Sequence, residues 1–176
     1  MQKPKFCSTC GSTLLPQMRD GFERLVCSDD NCDFVFWNNP TPVVGAIVQQ
    51  GDDIILVQNI GWPSHWFALV TGFLEANESP EEGIKREVKE EIGVTVESLD
   101  LVGLYPFFKR NQLLIIYHVQ IDDKAVVELQ ADEIAAYKKV PIEKVQPWDS
   151  GTGLALRDWL HSQGYERSPL PLDEIH

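Results

Sequence analysis

The chain has 176 residues, 43% hydrophobic and 24% charged, enough for one buried core with a small appended module but not for two full domains. Its formal net charge of −12 argues against a nucleic-acid partner, because phosphate polymers are normally held by an excess of Lys and Arg. An anionic small substrate therefore needs a metal or a local basic pocket. The opening MQKPKFCSTCG lacks the apolar run of a secretory signal, and no stretch approaches the ~18 apolar residues of a membrane span, so the sequence predicts a soluble, cytoplasmic protein with no membrane partner.

All four cysteines fall early, as Cys7-x2-Cys10 and Cys27-x4-Cys32. In a cytosolic chain this clustering favours metal over disulfides, and two close pairs on turns offer four thiolates to one tetrahedral Zn²⁺. The wider second spacing departs from the commonest pattern. A module this short has too little apolar interior to fold alone, so the ion supplies most of its folding free energy. With four thiolates the site is closed, and its role is structural. The alternatives are four unrelated buried cysteines, against which the clustering speaks, and a redox Cys7-x2-Cys10 pair, around which no strand-then-helix pattern is found. The zinc ribbon is assigned to residues 1–38, ended by Asn38-Asn39-Pro40-Thr41-Pro42, whose prolines continue neither a helix nor a central strand.

Residues 39–165 are predicted to form the main domain. VVGAIVQQ and IILVQN flank Gly51-Asp52-Asp53 as a hairpin. Trp66–Val70 and Asp100–Leu104 read as further strands, and LLIIYHVQI, Leu113–Ile121, as a central one. Gly153–Ser162 reads as a helix with Leu154, Leu156, Trp159 and Leu160 partly on one side, and residues 166–176 as a flexible tail. The economical architecture is α/β, a mixed sheet packed between helices.

Between the strands lies a glutamate-dense helix. Ser79-Pro80-Glu81-Glu82 supplies an N-cap serine, a proline at the first helical position and an acidic residue for a capping box, and Gly93 a stop, so the helix spans roughly Pro80–Ile92. At about 100° per residue, Gly83, Arg86, Glu87, Glu90 and Glu91 share one broad face, Ile84, Val88 and Ile92 the next, and Lys85 and Lys89 a third. Gly83 costs such a helix about 1 kcal/mol relative to alanine, so the pattern serves something besides helix formation. Three carboxylates within one turn suit a hard divalent cation, and Arg86 suits a bidentate grip on one of them. A solvated acidic face is the competing reading.

The wider pattern decides between them. Gly72-x5-Glu78-x7-Arg86-Glu87-Val88-x-Glu90-Glu91-x-Gly93-Val94 resembles the Nudix box, the signature of hydrolases that cleave a nucleoside diphosphate linked to another moiety. The resemblance covers about Thr41 to Leu160, and the ribbon before it is similar to that of NADH pyrophosphatases and some ADP-ribose or FAD pyrophosphatases. It implies an α/β/α sandwich with a mixed sheet and hydrolysis of the pyrophosphate bond in ADP-ribose, FAD or NAD(H) to two monophosphates. It implies Mg²⁺ or Mn²⁺ held by Glu87, Glu90 and Glu91, with Arg86 orienting Glu87 and Glu78 bracing the loop or the outer metal shell. The Thr71 carbonyl is a further candidate, and Asp132-Glu133-Ile134 puts Glu133 forward as ligand or general base, against a surface-turn reading. Glu87 and Glu133 both stay open as the base. Homodimerisation is common in that family.

Substrate choice is thinner. Of the Ser-Gln-Pro-Trp-Pro-Phe-Pro-like segment of NADH pyrophosphatases, the corresponding Leu104–Gln112 retains only Pro106 clearly. Phe73, Tyr105, Phe107 and Phe108 offer stacking on a base or core packing, and Lys109 and Arg110 offer phosphate contacts. Trp62 and Trp66 suit a pocket wall or a rigid turn, His65 a phosphate contact or a turn hydrogen bond, and His118 a structural role. Competing functions are a nucleoside triphosphate or RNA-cap-type pyrophosphohydrolase, and a non-catalytic nucleotide-sensing module, for which a complete ligand set is unnecessary.

Overall fold

The chain separates at Pro40 into two compact units, the second beginning at Thr41. The computed structural model describes residues 3–171 and 174.

The first unit is a three-stranded antiparallel sheet in the order β1 (Leu14–Arg19), β2 (Phe22–Cys27), β3 (Val35–Phe36). Leu14, Cys7 and Cys27 form its small interior, with Leu25, Cys32, Phe34 and Phe36 packed around it. So little apolar burial cannot offset the conformational entropy of ordering such a segment, and the cysteines must add to it.

The second unit holds β4 (Thr41–Gln50), β5 (Asp53–Asn59), β6 (Val70–Phe73), α1 (Pro80–Ile92), β7 (Val96–Phe107), a 3-10 turn (Phe108–Arg110), β8 (Gln112–Ile121), β9 (Ile134–Pro141) and α2 (Thr152–Ser162). Its sheet runs β7-β8-β4-β5-β9, with β6 also pairing β4. The β4–β8 pair is parallel and the others antiparallel, giving the expected mixed sheet. Alternation along β4 and β5 explains the two layers. Val43, Ile47, Ile54 and Leu56 pack with Ala155, Leu156, Trp159 and Leu160 of α2, while Val44, Ala46, Val48, Ile55 and Val57 pack with Ile84, Val88 and Ile92 of α1. Strands buried on both faces read as continuous apolar runs, which is what VVGAIVQQ and IILVQN look like.

Differences from the sequence reading have physical causes. The hairpin turn is Gly51-Asp52 alone, with Asp53 already opposite Gln50 and Gly51 at φ 59°. The strand expected at Trp66–Val70 is displaced to Val70–Phe73, because of the earlier residues only Ala68 pairs, in a single bridge to Val57. β7 runs to Phe107 and carries Pro106, as an edge strand allows. The tail expectation falls partly on residues 172, 173, 175 and 176, which lie outside the described residues; before them, Leu170 bridges Trp148 and its amide donates to the Pro147 carbonyl.

His118 is structural in this setting. The Gln49 amide donates to the Gly51 carbonyl, so its oxygen faces His118 Nε2 at 2.7 Å and the imidazole donates from Nε2. Its ring lies 4.9 Å from that of Trp159. Burial lowers its pKa, with Asp100 opposing. The unfolded chain therefore takes up the proton first as pH falls: the contribution is complete above the unfolded value and lost as pH falls through the folded one. Wild type should lose unfolding free energy more steeply than His118→Gln from about pH 7 to about pH 5, measured by urea titration; parallel curves would refute this.

Candidate active site and cysteine centre

α1 begins as its sequence dictates. The Glu82 amide donates to Ser79 Oγ at 3.3 Å and the Ser79 amide to Glu82 Oε2 at 2.8 Å, closing the capping box. Gly93 ends the helix at φ 74°. Glu81, expected to help start the helix, also accepts from Tyr117 Oη at 2.7 Å; that bond lowers the Glu81 pKa, while burial and the same bond push Tyr117 up to about 12.

Arg86 is the hub. Its guanidinium donates to both Glu78 oxygens at 2.7 and 3.1 Å, to Glu87 at 2.7 Å, to Glu90 at 3.0 Å and to the Phe73 carbonyl at 3.1 Å. The expected grip on Glu87 is present, but the bidentate partner is Glu78, whose pKa this contact lowers. Two glycines make room. A Cβ at Gly72 would lie 1.8 Å from Glu87 Cδ, and one at Gly83 would lie 2.9 Å from Glu78 Oε1 and 3.1 Å from Leu74 Cδ1. The helix-weakening glycine thus admits the Glu78 carboxylate.

Glu91 sits on the opposite side of this balance. It is 3% exposed, and its Oε2 has no hydrogen-bond partner. Burial, then Glu87 and Glu133, push its pKa up to about 8, with the Thr71 amide partly opposing. Burial also raises Glu87, against the pull of Arg86. Glu133 comes from far along the chain: the Glu128 and Gln130 amides donate to Ile92 and Glu91 carbonyls at the end of α1, and the Ile60 amide to the Glu133 carbonyl. An orphaned, buried carboxylate oxygen beside two further carboxylates fits a divalent cation, with Glu87, Glu90, Glu91 and Glu133 the residues to hold it. Their oxygens are less tightly gathered than the cysteine sulfurs, since Arg86 draws Glu87 and Glu90 to itself.

A cavity of about 520 Å³ opens where β4 and β8 begin and β6 and β7 end. Glu87, Glu90 and Glu133 line it, as do Thr71, Gly72 and Phe73, while Trp62, Trp66, Phe107 and Trp148 supply aromatic surface. Of the sequence candidates, Tyr105 instead donates to Asp158 at 3.0 Å, and Phe108 is 88% exposed and lies outside the lining with Lys109 and His65. The sequence reading missed Glu75, Gln112, Trp148 and the Ser150-Gly151-Thr152 start of α2. The PWDSGTG turn was the available signal, since its residues suit a helix entry but reveal no face.

In the first unit, the Sγ atoms of Cys7, Cys10, Cys27 and Cys32 all lie within 4.8 Å of one another, with Cys7–Cys32 at 3.7 Å and Cys10–Cys27 at 3.4 Å. Tetrahedral thiolates at ~2.3 Å from an ion stand about 3.8 Å apart, whereas a disulfide needs about 2 Å, so the spacing fits a metal centre. The four-residue interval of Cys27-x4-Cys32 is a turn: Asp29 accepts from the Asn31 amide through its side chain and from the Cys32 amide through its carbonyl. Hydrogen bonds from Ser12 lower Cys10 to about 6; Cys27 goes up to about 12 because burial and neighbouring thiols outweigh the Asp29 amide.

Residues 39–159 match the family profile of the NUDIX domain, and the chain belongs to that family. It is 28% identical over 153 residues to a protein of Pseudomonas putida named NAD-capped RNA hydrolase NudC, an alignment covering 86% of this chain and 53% of that one. The chain thus matches about half the length of this relative. A NUDIX hydrolase from Nitrosomonas europaea superposes with a TM-score of 0.75 at 21% identity, covering 96% of this chain and 97% of that one. An ADP-ribose pyrophosphatase from Streptococcus suis superposes at 0.57 with 22% identity, covering 73% and 96%. These likenesses establish the fold. Among the described residues no helix is long and apolar enough to cross a membrane.

Glu91→Gln removes, at nearly unchanged shape, a carboxyl whose ionisation burial disfavours. In chelator, the variant should melt higher than wild type, by about 1 kcal/mol or about 3 °C, and should lose the rise in Tm that divalent cations give wild type. An unchanged response to the cation would remove Glu91 from the ligand set.

Proposed function

We propose that this protein hydrolyses the pyrophosphate bond of nucleoside diphosphate-linked compounds, ADP-ribose, FAD or NAD(H), in a divalent-cation-dependent reaction releasing two monophosphates. The observation that carries this reading is the buried Glu91 carboxylate with one unpartnered oxygen, which interacts electrostatically with the cavity-lining Glu87 and Glu133. Magnesium or manganese, when bound, neutralises diphosphate charge and acidifies water at the site.

The chain's own residues do the rest. Glu87, Glu90, Glu91 and Glu133 hold the cation, and Arg86 fixes Glu87 and Glu90 in direction through its two 2.7 to 3.0 Å bonds. Glu133 and Glu87 are the two carboxylates suited to accept a proton from the attacking water, both lining the cavity. The water oxygen bonds to one phosphorus, the bridging P–O bond breaks, and the leaving phosphate keeps its electron pair. Trp62, Trp66 and Trp148 offer faces for a nucleobase or a second planar ring. Zinc on the four cysteines has no open position, so the ribbon carries no chemistry.

The Pseudomonas relatives are named for NAD-capped RNA, which favours NAD(H) among the candidates and adds one substrate to test. Purified protein with Mg²⁺ or Mn²⁺ should turn over at least one of ADP-ribose, NADH, NAD, FAD and NAD-capped RNA to monophosphate products, and Glu87→Gln should lower kcat at least about a hundredfold. Turnover confined to nucleoside triphosphates, with release of pyrophosphate, would establish the competing reading; nucleotide binding without any turnover would establish the sensing module.

For the ribbon, Cys32→Ser should remove one equivalent of zinc per chain by metal analysis and expose the first unit to protease, while the second unit survives intact. Full zinc retention would refute the four-thiolate assignment.

A further inference from the structure

The cavity is unevenly charged. Four carboxylates line it, Glu75, Glu87, Glu90 and Glu133, and a single cation, Arg110. Lys109 beside it lies outside the lining, and three other basic groups of this unit are engaged. Arg86 is spent on Glu78, Glu87 and Glu90, Lys89 donates to the Gly93 carbonyl at 2.7 Å, and Lys138 lies 4.6 Å from the Phe67 ring centroid. Among the described residues Arg110 has no ion pair.

Its position is fixed by backbone. Arg110 ends the 3-10 turn between β7 and β8, and Asn111 follows in left-handed conformation at φ 51°, its amide donating to Phe108 and its carbonyl accepting from Thr41 of β4. The start of α2 adjoins the same place: a Cβ on Gly151 would lie 3.8 Å from the Phe107 ring, and Gly151 gives that helix no side-chain cap. The partial positive charge of the helix end adds to that of Arg110. Strand registers set the distance to the acidic side. β6 carries Gly72 under Glu87, and β4, β8 and β7 follow in order, so the turn joining β7 to β8 stands two to three strand spacings away, ~9–14 Å at the backbone. An arginine extended toward the carboxylates covers part of that span, and a diphosphate fills what remains.

We propose that Arg110 is the phosphate-recognition residue of the cavity, binding the phosphate of a nucleoside diphosphate linkage that lies away from Glu87, Glu90 and Glu91. This rests on the pyrophosphatase reading above. Its sharper content is a division of labour: the carboxylates with their cation take one phosphate, Arg110 the other, and a ligand with no phosphate is indifferent to Arg110.

The test uses the full-length chain with Arg110→Ala and Arg110→Lys. Tryptophan fluorescence in chelator follows binding of AMP and of adenosine, since Trp62, Trp66 and Trp148 line the cavity. Arg110→Ala should weaken AMP on the order of tenfold and leave adenosine unchanged, with Arg110→Lys between. In steady-state hydrolysis of whichever substrate wild type turns over, Arg110→Ala should raise KM on the order of tenfold with a smaller change in kcat. Equal weakening of AMP and adenosine, or unchanged AMP affinity, overturns the proposal. If wild type hydrolyses nothing, the pyrophosphatase reading fails by itself, and the contrast between AMP and adenosine still decides the role of Arg110.

Discussion

The site depends on one guanidinium facing more carboxylates than it can neutralise. Arg86 satisfies Glu78 fully and Glu87 and Glu90 in part, and leaves Glu91 buried with an unpartnered oxygen. In a protein interior that imbalance is expensive, because an unpaired buried charge shifts its pKa or recruits a partner. Both responses are legible here: Glu91 is displaced upward to about 8, and its neighbours are the residues a divalent cation would use. The strain is local, concentrated on one helix face, and is tolerated because α1 is otherwise well made, with a closed capping box and three aliphatic residues locked into the sheet.

Much of this was legible in the sequence because it is short-range. Capping chemistry, helical periodicity and the spacing of the Nudix box all act within a few turns, so Ser79, Glu82, Arg86 and Gly93 could be placed from the residues alone. The purpose of Gly83 could not. Its cost to the helix was readable, but the atom it makes room for, a Glu78 oxygen eight residues before Arg86, belongs to a loop whose path only the fold determines. The second contact of Glu81 was hidden for the same reason, since its partner Tyr117 comes from β8.

The far side of the cavity was the least legible. Trp148 and Thr152 reach it because α2 lies across the β4 and β8 face, and Gln112 because β8 begins beside the end of β7. Neither fact leaves a periodic trace. The aromatic candidates divided similarly: Phe73 and Phe107 line the cavity, while Tyr105, equally aromatic and only two residues from Phe107, turns to Asp158. Alternation along a strand predicts a shared face for Tyr105 and Phe107, but the length of the strand and the entry of α2 decide which of them meets open space.

A strongly acidic chain proposed to bind an anion is paradoxical only if charge is counted over the whole surface. Within the cavity, four carboxylates outnumber one arginine, so a bare diphosphate is repelled from one side and attracted to the other. On the proposed function, a divalent cation would offset much of the negative charge of the repelling side and make cation and substrate binding mutually dependent: each would lower the electrostatic cost of the other, and by linkage the coupling is equal in both directions. The same arrangement orients the substrate. With one end of the cavity attractive unconditionally and the other only when a cation is present, a diphosphate bound as proposed would have one favourable placement, one phosphate at Arg110 and the other beside Glu87 and Glu133.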